Sequence, residues 1–157
     1  MTDDIQYLTL EGLQELEEKL NFLRTVRRQE IAQRLHQAME EGGELAENAE
    51  YEDAKNDQAF LEGEIIRLET ILRNARVIQE DGRKDIVGLG DKVTVREKGQ
   101  KETEIYLLVG AAEANPQVGK ISYKSPLGQA LMNKKVGDKV KVNAPDGEIV
   151  FEVVAID

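Results

Sequence analysis

The chain predicts an α+β protein, with an antiparallel coiled-coil helical hairpin over residues 1–79 and a small antiparallel-sheet domain carrying one helix over residues 80–157. Three observations carry that expectation. Apolar residues recur by threes and fours in the first half and by twos in the second. A diglycine, Gly42-Gly43, interrupts the helical half near its middle. Charge changes where the period changes: residues 1–80 hold 19 acidic and 9 basic side chains, whereas residues 81–157 hold 12 of each. The helical half therefore carries the whole net charge of −10.

Thr9 is a suitable N-cap for a first helix. Leu13, Leu16, Leu20, Leu23, Arg27, Ile31, Leu35 and Ala38 then step along one face. The successive steps of four from Leu23 to Leu35 read as a stutter, which relaxes supercoiling locally. The return segment is stricter: Tyr51, Ala54, Gln58, Leu61, Ile65, Leu68, Leu72 and Ala75 alternate threes and fours as a heptad seam. Each arm has about 32 residues, giving a rod of roughly 50 Å at 1.5 Å per residue. Two glycines suit a tight helix-to-helix connection, because one can supply the left-handed residue that ends the first helix. Small Ala54 and polar Gln58 weaken the seam near the tip, so the stable end is the base.

Beyond Ile78, residues 91–97, 104–109, 120–123, 139–143 and 148–156 alternate or run β-branched, separated by Gly, Pro, Asn and Asp. Pro145-Asp146-Gly147 reads as a hairpin turn, and residues 126–134 as one short helix with Pro126 in its first turn. A sheet wrapped on that helix is the compact solution for such a segment.

Composition narrows the chemistry. With 33% charged and 4% aromatic residues, neither core is large. The absence of cysteine excludes disulfides, thiol catalysis and zinc-finger chemistry. No signal-peptide pattern and no long apolar run is present, so a cytoplasmic setting without membrane association is expected. The acidic surface disfavours direct binding to a phosphate backbone and favours a partner with a basic groove or a bound metal ion.

Residues 39–53 hold seven carboxylates, with no Lys or Arg between Arg34 and Lys55. Glu44 and Glu47 lie three apart at the start of the return helix, where both carboxylates can face one ion. Two carboxylates are too few for a tight Mg²⁺ site. Such a half-built site makes sense when a partner supplies the remaining ligands of a two-metal phosphodiester centre. The opposing reading is that both are ordinary helix N-terminal acids favoured by the macrodipole.

The stretch Gly43-Glu44-Leu45-Ala46-Glu47-Asn48-Ala49-Glu50-Tyr51, followed by Ala54-Lys55, Gln58, Glu62, Ile65 and Leu68-Glu69, resembles the signature of the bacterial Gre transcript-cleavage factors. Val109-Gly110, Glu113-Ala114, Ile121-Ser122, Ser125-Pro126-Leu127-Gly128 and Gly137-Asp138 resemble that family's C-terminal domain. The charge balance is closer to the GreA branch than to the more basic GreB branch.

The resemblance implies a non-enzymatic transcription elongation factor that docks on bacterial RNA polymerase through an FK506-binding-protein-like C-terminal domain. Its coiled coil passes down the secondary channel, so any relation to DNA is indirect. Glu44 and Glu47 would be donated to the polymerase active site, sharing Mg²⁺ there so that polymerase cuts the 3′ end of a backtracked transcript. No cofactor would be tightly bound by the free, monomeric protein. Asn48, Tyr51 and Lys55 would meet the nascent RNA 3′ end at the tip, Arg24, Arg27 and Arg28 form the family's basic patch, and Ser125, Pro126, Leu127 and Gly128 contact polymerase. The C-terminal domain, residues 80–157, would hold the binding energy and fold when isolated. The tip departs from the family pattern: the loop is one residue longer, its first acid is a Glu instead of Asp, Met39 replaces a basic residue and Ala46 replaces Ser or Lys.

Several residues remain open to two readings. Asn48 is a local cap or an active-site hydrogen-bonding group, Tyr51 is seam packing with its hydroxyl at the tip, and Lys55 is a solvated cation or a phosphate contact. The three arginines pair with acids of the second helix or touch the transcript, and His36 is a surface residue. Rival functions are a Gre-like channel occupant that inhibits polymerase without cleavage and peptidyl-prolyl isomerisation. The latter would draw on Tyr106, Tyr123 and Phe151, with no Trp available. A coiled-coil oligomeriser is disfavoured because the hairpin satisfies its own seam.

Overall fold

The computed structural model describes residues 4–41, 48–79, 82 and 84–157. Two compact units emerge: Leu13–Asn74, and Ala75–Asp157 joined by Met1–Gly12.

In the first unit, α1 (Leu10–Phe22, beginning in the other unit), a π-helical turn (Leu23–Arg27) and α2 (Arg28–Glu41) form one arm. Helix α3 (Ala49–Arg73) is the other. The π turn lies where the steps of four begin. Each four-residue step overshoots a 3.6-residue turn, and a wider turn with i→i+5 bonding absorbs the excess so that Ile31 still faces inward. Leu20, Ile31, Leu61, Ile65 and Leu68 form the buried core, with Leu16, Leu23, Leu35 and Leu72 packed against them. Towards the tip the buried residues shrink to Ala38 and Ala54.

The arms are not equal along their described lengths. Ala75, the last position of the sequence seam, belongs to strand β2 (Ala75–Val77), which pairs in parallel with β1 (Gln6–Leu8). The division into compact units thus falls at residues 74 and 75, a few residues before the boundary expected at residues 79 and 80. Leu8 is wholly buried, and Ile78 N–H donates to its carbonyl at 2.8 Å. A Cβ on Gly110 would lie 2.0 Å from the Tyr7 carbonyl oxygen, so that glycine is what lets β1 lie close. A fragment starting at residue 80 loses both strands.

The larger sheet has the order β5-β4-β3-β7-β6, from β3 (Lys92–Glu97), β4 (Thr103–Val109), β5 (Lys120–Ser122), β6 (Lys139–Ala144) and β7 (Gly147–Ile156). Three pairings are antiparallel as expected, whereas β5 runs parallel to β4. The reason lies in the connection, a crossover containing a 3₁₀ turn (Pro116–Val118) instead of a hairpin. Val93, Val95, Leu108, Val140 and Val153 fill the core together with Leu131 of α4 (Pro126–Leu131). That helix stops three residues earlier than the sequence suggests. Asn133 adopts φ +67°, and its N–H donates to the Val87 carbonyl at 2.9 Å, so the chain leaves the helix to pair with residue 87. The β6–β7 hairpin turns at Pro145-Asp146, with Gly147 at φ +126°.

Thr9 caps α1 as expected, its hydroxyl oxygen accepting from Gly12 N–H at 3.0 Å. What holds Thr9 is visible only in the folded chain. Its own N–H donates to Glu113 Oε2 at 3.0 Å and its hydroxyl donates to Glu113 Oε1. Gly12 is small because a Cβ there would lie 2.4 Å from Cδ of that carboxylate.

Candidate functional site at the hairpin tip

Helix α2 ends at Glu41 and α3 starts at Ala49. Glu44 and Glu47, the expected metal pair, lie outside the described residues. On either side of them the tip is acidic, with Glu40, Glu41, Glu50, Glu52 and Asp53. A groove of about 280 Å³ between the arms is lined by Arg34, Gln37, Ala38, Glu41, Glu50 and Asp53. Among the described residues no group of three or more His, Cys, Asp or Glu is placed to hold a metal ion.

Asn48 joins the two arms. Its Oδ1 accepts from Tyr51 N–H at 3.1 Å, making it the N-cap of α3, and its Nδ2 donates to the Ala38 carbonyl at 2.7 Å. The cap reading is thus directly visible, with a cross-arm bond that the sequence did not suggest. Both bonds are part-buried, and loss of each typically costs about 1 kcal/mol. Asn48→Ala is expected to lower hairpin stability by roughly 1–2 kcal/mol. Hydrogen exchange at the Tyr51 and Glu52 amides, compared with amides near Ile65, reads this: protection should fall at the tip and persist at the base.

Tyr51 is half-buried, and Lys55 Nζ sits 5.9 Å from its ring centroid, within reach of a cation–π contact. Lys55 Nζ also lies 3.5 Å from Gln58 Oε1, at the limit of a hydrogen bond.

The arginines are engaged within the hairpin. Arg24 meets Glu69 at 2.8 Å, and Arg28 donates to Glu62 through two bonds of 2.9 and 2.7 Å. Arg27, at a half-buried seam position, pairs with Glu30 at 2.9 Å on its own arm. Arg34 reaches Asp57 at 2.6 Å and Lys19 reaches Glu64 at 3.5 Å. These cross-arm pairs help fix the register of the two helices. His36 is exposed and meets Glu40 at 3.0 Å.

The two-point bond from Arg28 holds the Glu62 carboxyl below its ordinary value, and Arg67 does the same for Glu64. A carboxyl whose pKa is lower folded than unfolded adds stability above its unfolded pKa, and loses it as pH falls through the folded one. Hairpin stability from these pairs is therefore expected to hold above about pH 5 and decline below 4.5. Helical circular dichroism followed through thermal melts between pH 7 and 3 reads this, and Glu62→Gln should flatten part of the decline.

In the other unit, three of the four residues expected to contact polymerase have inward tasks. Ser125 Oγ accepts from Gly128 N–H at 3.0 Å and donates to the Ser122 carbonyl at 2.7 Å, capping α4. Leu127 packs on the core, and a Cβ on Gly128 would lie 2.0 Å from the Ser122 carbonyl oxygen. Pro126 is exposed. The aromatics weighed for isomerase activity have separate settings. Phe151 is buried in the core, and Tyr123 meets Tyr7 edge-on at 6.0 Å. Tyr106 bonds Glu104, and burial first, then that carboxylate, pushes its pKa up to about 12. No helix among the described residues is long and apolar enough to cross a membrane.

Comparison with known proteins covers both units. The model "Transcription elongation factor, N-terminal" matches residues 6–77, and "Transcription elongation factor, GreA/GreB, C-term" matches residues 82–157. Transcription elongation factor GreA of Acetivibrio thermocellus is 48% identical over 95% of this chain and 94% of its own. That of Thermoanaerobacter pseudethanolicus is 49% identical over 95% of each. Among solved structures, GreA factor homolog 1 of Thermus thermophilus is 33% identical, covering 98% of this chain and 99% of its own, with a TM-score of 0.44. With both matches in order along nearly the whole chain, this protein belongs to the GreA/GreB transcription elongation factor family.

Proposed function

We propose that the chain binds backtracked bacterial RNA polymerase, passes its hairpin through the secondary channel and stimulates the polymerase's own cleavage of the RNA 3′ end. Glu44 and Glu47 would supply carboxylate oxygens to a second, shared Mg²⁺, which in two-metal hydrolysis stabilises charge on the attacking and leaving oxygens. What carries the reading is the acid-rich turn of a helical hairpin whose Arg24, Arg28 and Arg34 are already paired with its own acids, in a chain of this family. Pairing leaves the tip's negative charge uncompensated where the helices end. The bond from Asn48 to Ala38 holds the arms together next to the turn, so the chain's part in the reaction is to present two carboxylates on a stiff stem.

The test is labelled RNA in stalled, backtracked polymerase with Mg²⁺, with and without the protein. Shortening of the transcript from its 3′ end is expected only with both present. Free RNA with protein and Mg²⁺ should stay intact, since two carboxylates do not complete a two-metal site. Slower elongation with no cleavage would favour the channel-occupant reading instead.

A further inference from the structure

We propose that the solvent-facing back of α3 pairs two copies of this chain, running antiparallel and crossing at Gly63. Two unfavourable features meet there. Gly63 lies in the interior of a 25-residue helix, where glycine is worse than alanine, and a Cβ on it would meet nothing within 4 Å. Among the described residues no packing requires a glycine. Phe60 and Ile66, three residues to either side, are 79% and 63% exposed, which leaves an aromatic and an aliphatic side chain in water. A second helix lying close over Gly63 accounts for both features: it uses the missing Cβ and covers the two apolar walls.

The order of residues chooses the partner. The back of α3 carries its own heptad stripe, exposed at every position, and the chemistry of that stripe reverses about Gly63. Ala59 and Ile66 come next on either side, then Asn56 and Thr70, and Glu52 and Arg73 at the ends. In a two-fold pair each residue meets its counterpart from the other end of the stripe. Ile66 then packs on Ala59 of the second copy, Asn56 donates to the Thr70 hydroxyl oxygen, and Arg73 meets Glu52. Thr70 suits that task, because its O–H already donates to the Ile66 carbonyl at 2.9 Å and its oxygen is left to accept. Neither Glu52 nor Arg73 takes part in the cross-arm ion pairs. A parallel pair would instead set Glu52 against Glu52 and Arg73 against Arg73.

The stripe lies apart from the buried seam that closes the hairpin, so both can be satisfied at once. At about 30 Å long it makes a small interface, and pairing is expected only near roughly 0.1 mM protein. The monomer that the family resemblance implies is then the dilute form. This assignment rests on the exposed face of α3 and does not depend on the cleavage reading.

Sedimentation equilibrium of the full-length protein in low salt, between about 5 and 500 µM, is expected to show a monomer–dimer equilibrium. Phe60→Ser with Ile66→Ser should weaken dimerisation at least about tenfold, and unchanged helical circular dichroism confirms that the variant folds. Gly63→Gln should raise the melting temperature of the dilute protein and yet reduce dimerisation, opposite signs that no loss of folding produces. Glu52→Arg and Arg73→Glu should each weaken dimerisation about tenfold, since each turns two attractions into two repulsions. Combining them should restore it, because every arginine again faces a glutamate. A monomer throughout the range, a dimer indifferent to the Phe60 and Ile66 changes or to Gly63→Gln, or a double reversal as weak as the single ones overturns the proposal.

Discussion

Replacing Glu47 by Ala is expected to abolish stimulated transcript cleavage while leaving polymerase binding intact, and Glu44→Ala should act nearly as strongly. Both follow from the shared-ion reading. Removing a ligand that stabilises developing charge loses several kcal/mol from the transition state, which at about 1.4 kcal/mol per tenfold means a rate loss of a hundredfold or more. Affinity should hardly change, because the tip carboxylates would contribute to chemistry and not to anchoring. The length of the turn provides the internal control. Deleting one of Gly42 and Gly43 together with Glu44→Asp restores the usual family loop, and wild type and rebuilt variant should both support cleavage. Cleavage by the rebuilt variant alone would identify the longer turn as that of an inhibitor. Cleavage rates on backtracked complexes, set beside equilibrium binding of the same variants, separate the two outcomes.

Gly128→Ala is expected to unfold or severely destabilise the C-terminal unit, whereas Pro126→Ala should leave its stability within about 0.5 kcal/mol. A Cβ at residue 128 would meet the Ser122 carbonyl oxygen at 2.0 Å and the Tyr123 Cα at 2.9 Å, both backbone atoms that cannot rotate away. Relief requires α4 to shift off β5, which breaks the bond from Gly128 N–H to Ser125 Oγ and unseats the fully buried Leu131. Overpacking against backbone costs roughly 3 kcal/mol or more, a large share of the 5–15 kcal/mol that holds an ordinary domain together. Urea unfolding of the full chain, followed by amide spectra of the two units, measures it. The pair of variants also divides the Ser125–Gly128 motif. If it contacts polymerase, Pro126→Ala weakens binding in a stable protein, and loss of binding in Gly128→Ala comes with loss of fold.

The seam of the hairpin, the acidic turn, five strands and one helix were legible because each depends on local periodicity: a face that recurs every 3.6 or every two residues reports that something buries it. Periodicity does not name the partner. Strands β1 and β2 have three residues each and lie far apart in the chain, too short to show alternation, and they exist only because each supplies the other's hydrogen bonds. The parallel placement of β5 was equally hidden, being decided by the crossover that leads into it.

The site divides in the same way. Sequence by itself determined which residues crowd the turn and to which family they belong, since motif order and spacing are linear properties. Tertiary structure decided that Arg24 and Arg28 spend their charge on Glu69 and Glu62, that Asn48 holds both arms, and that Gly128 and Ser125 face inward. It also left Arg96 Nε buried with no acceptor among the described residues. Ion pairs and close backbone approaches act over a few ångströms between residues tens of positions apart, and only the folded chain sets those distances.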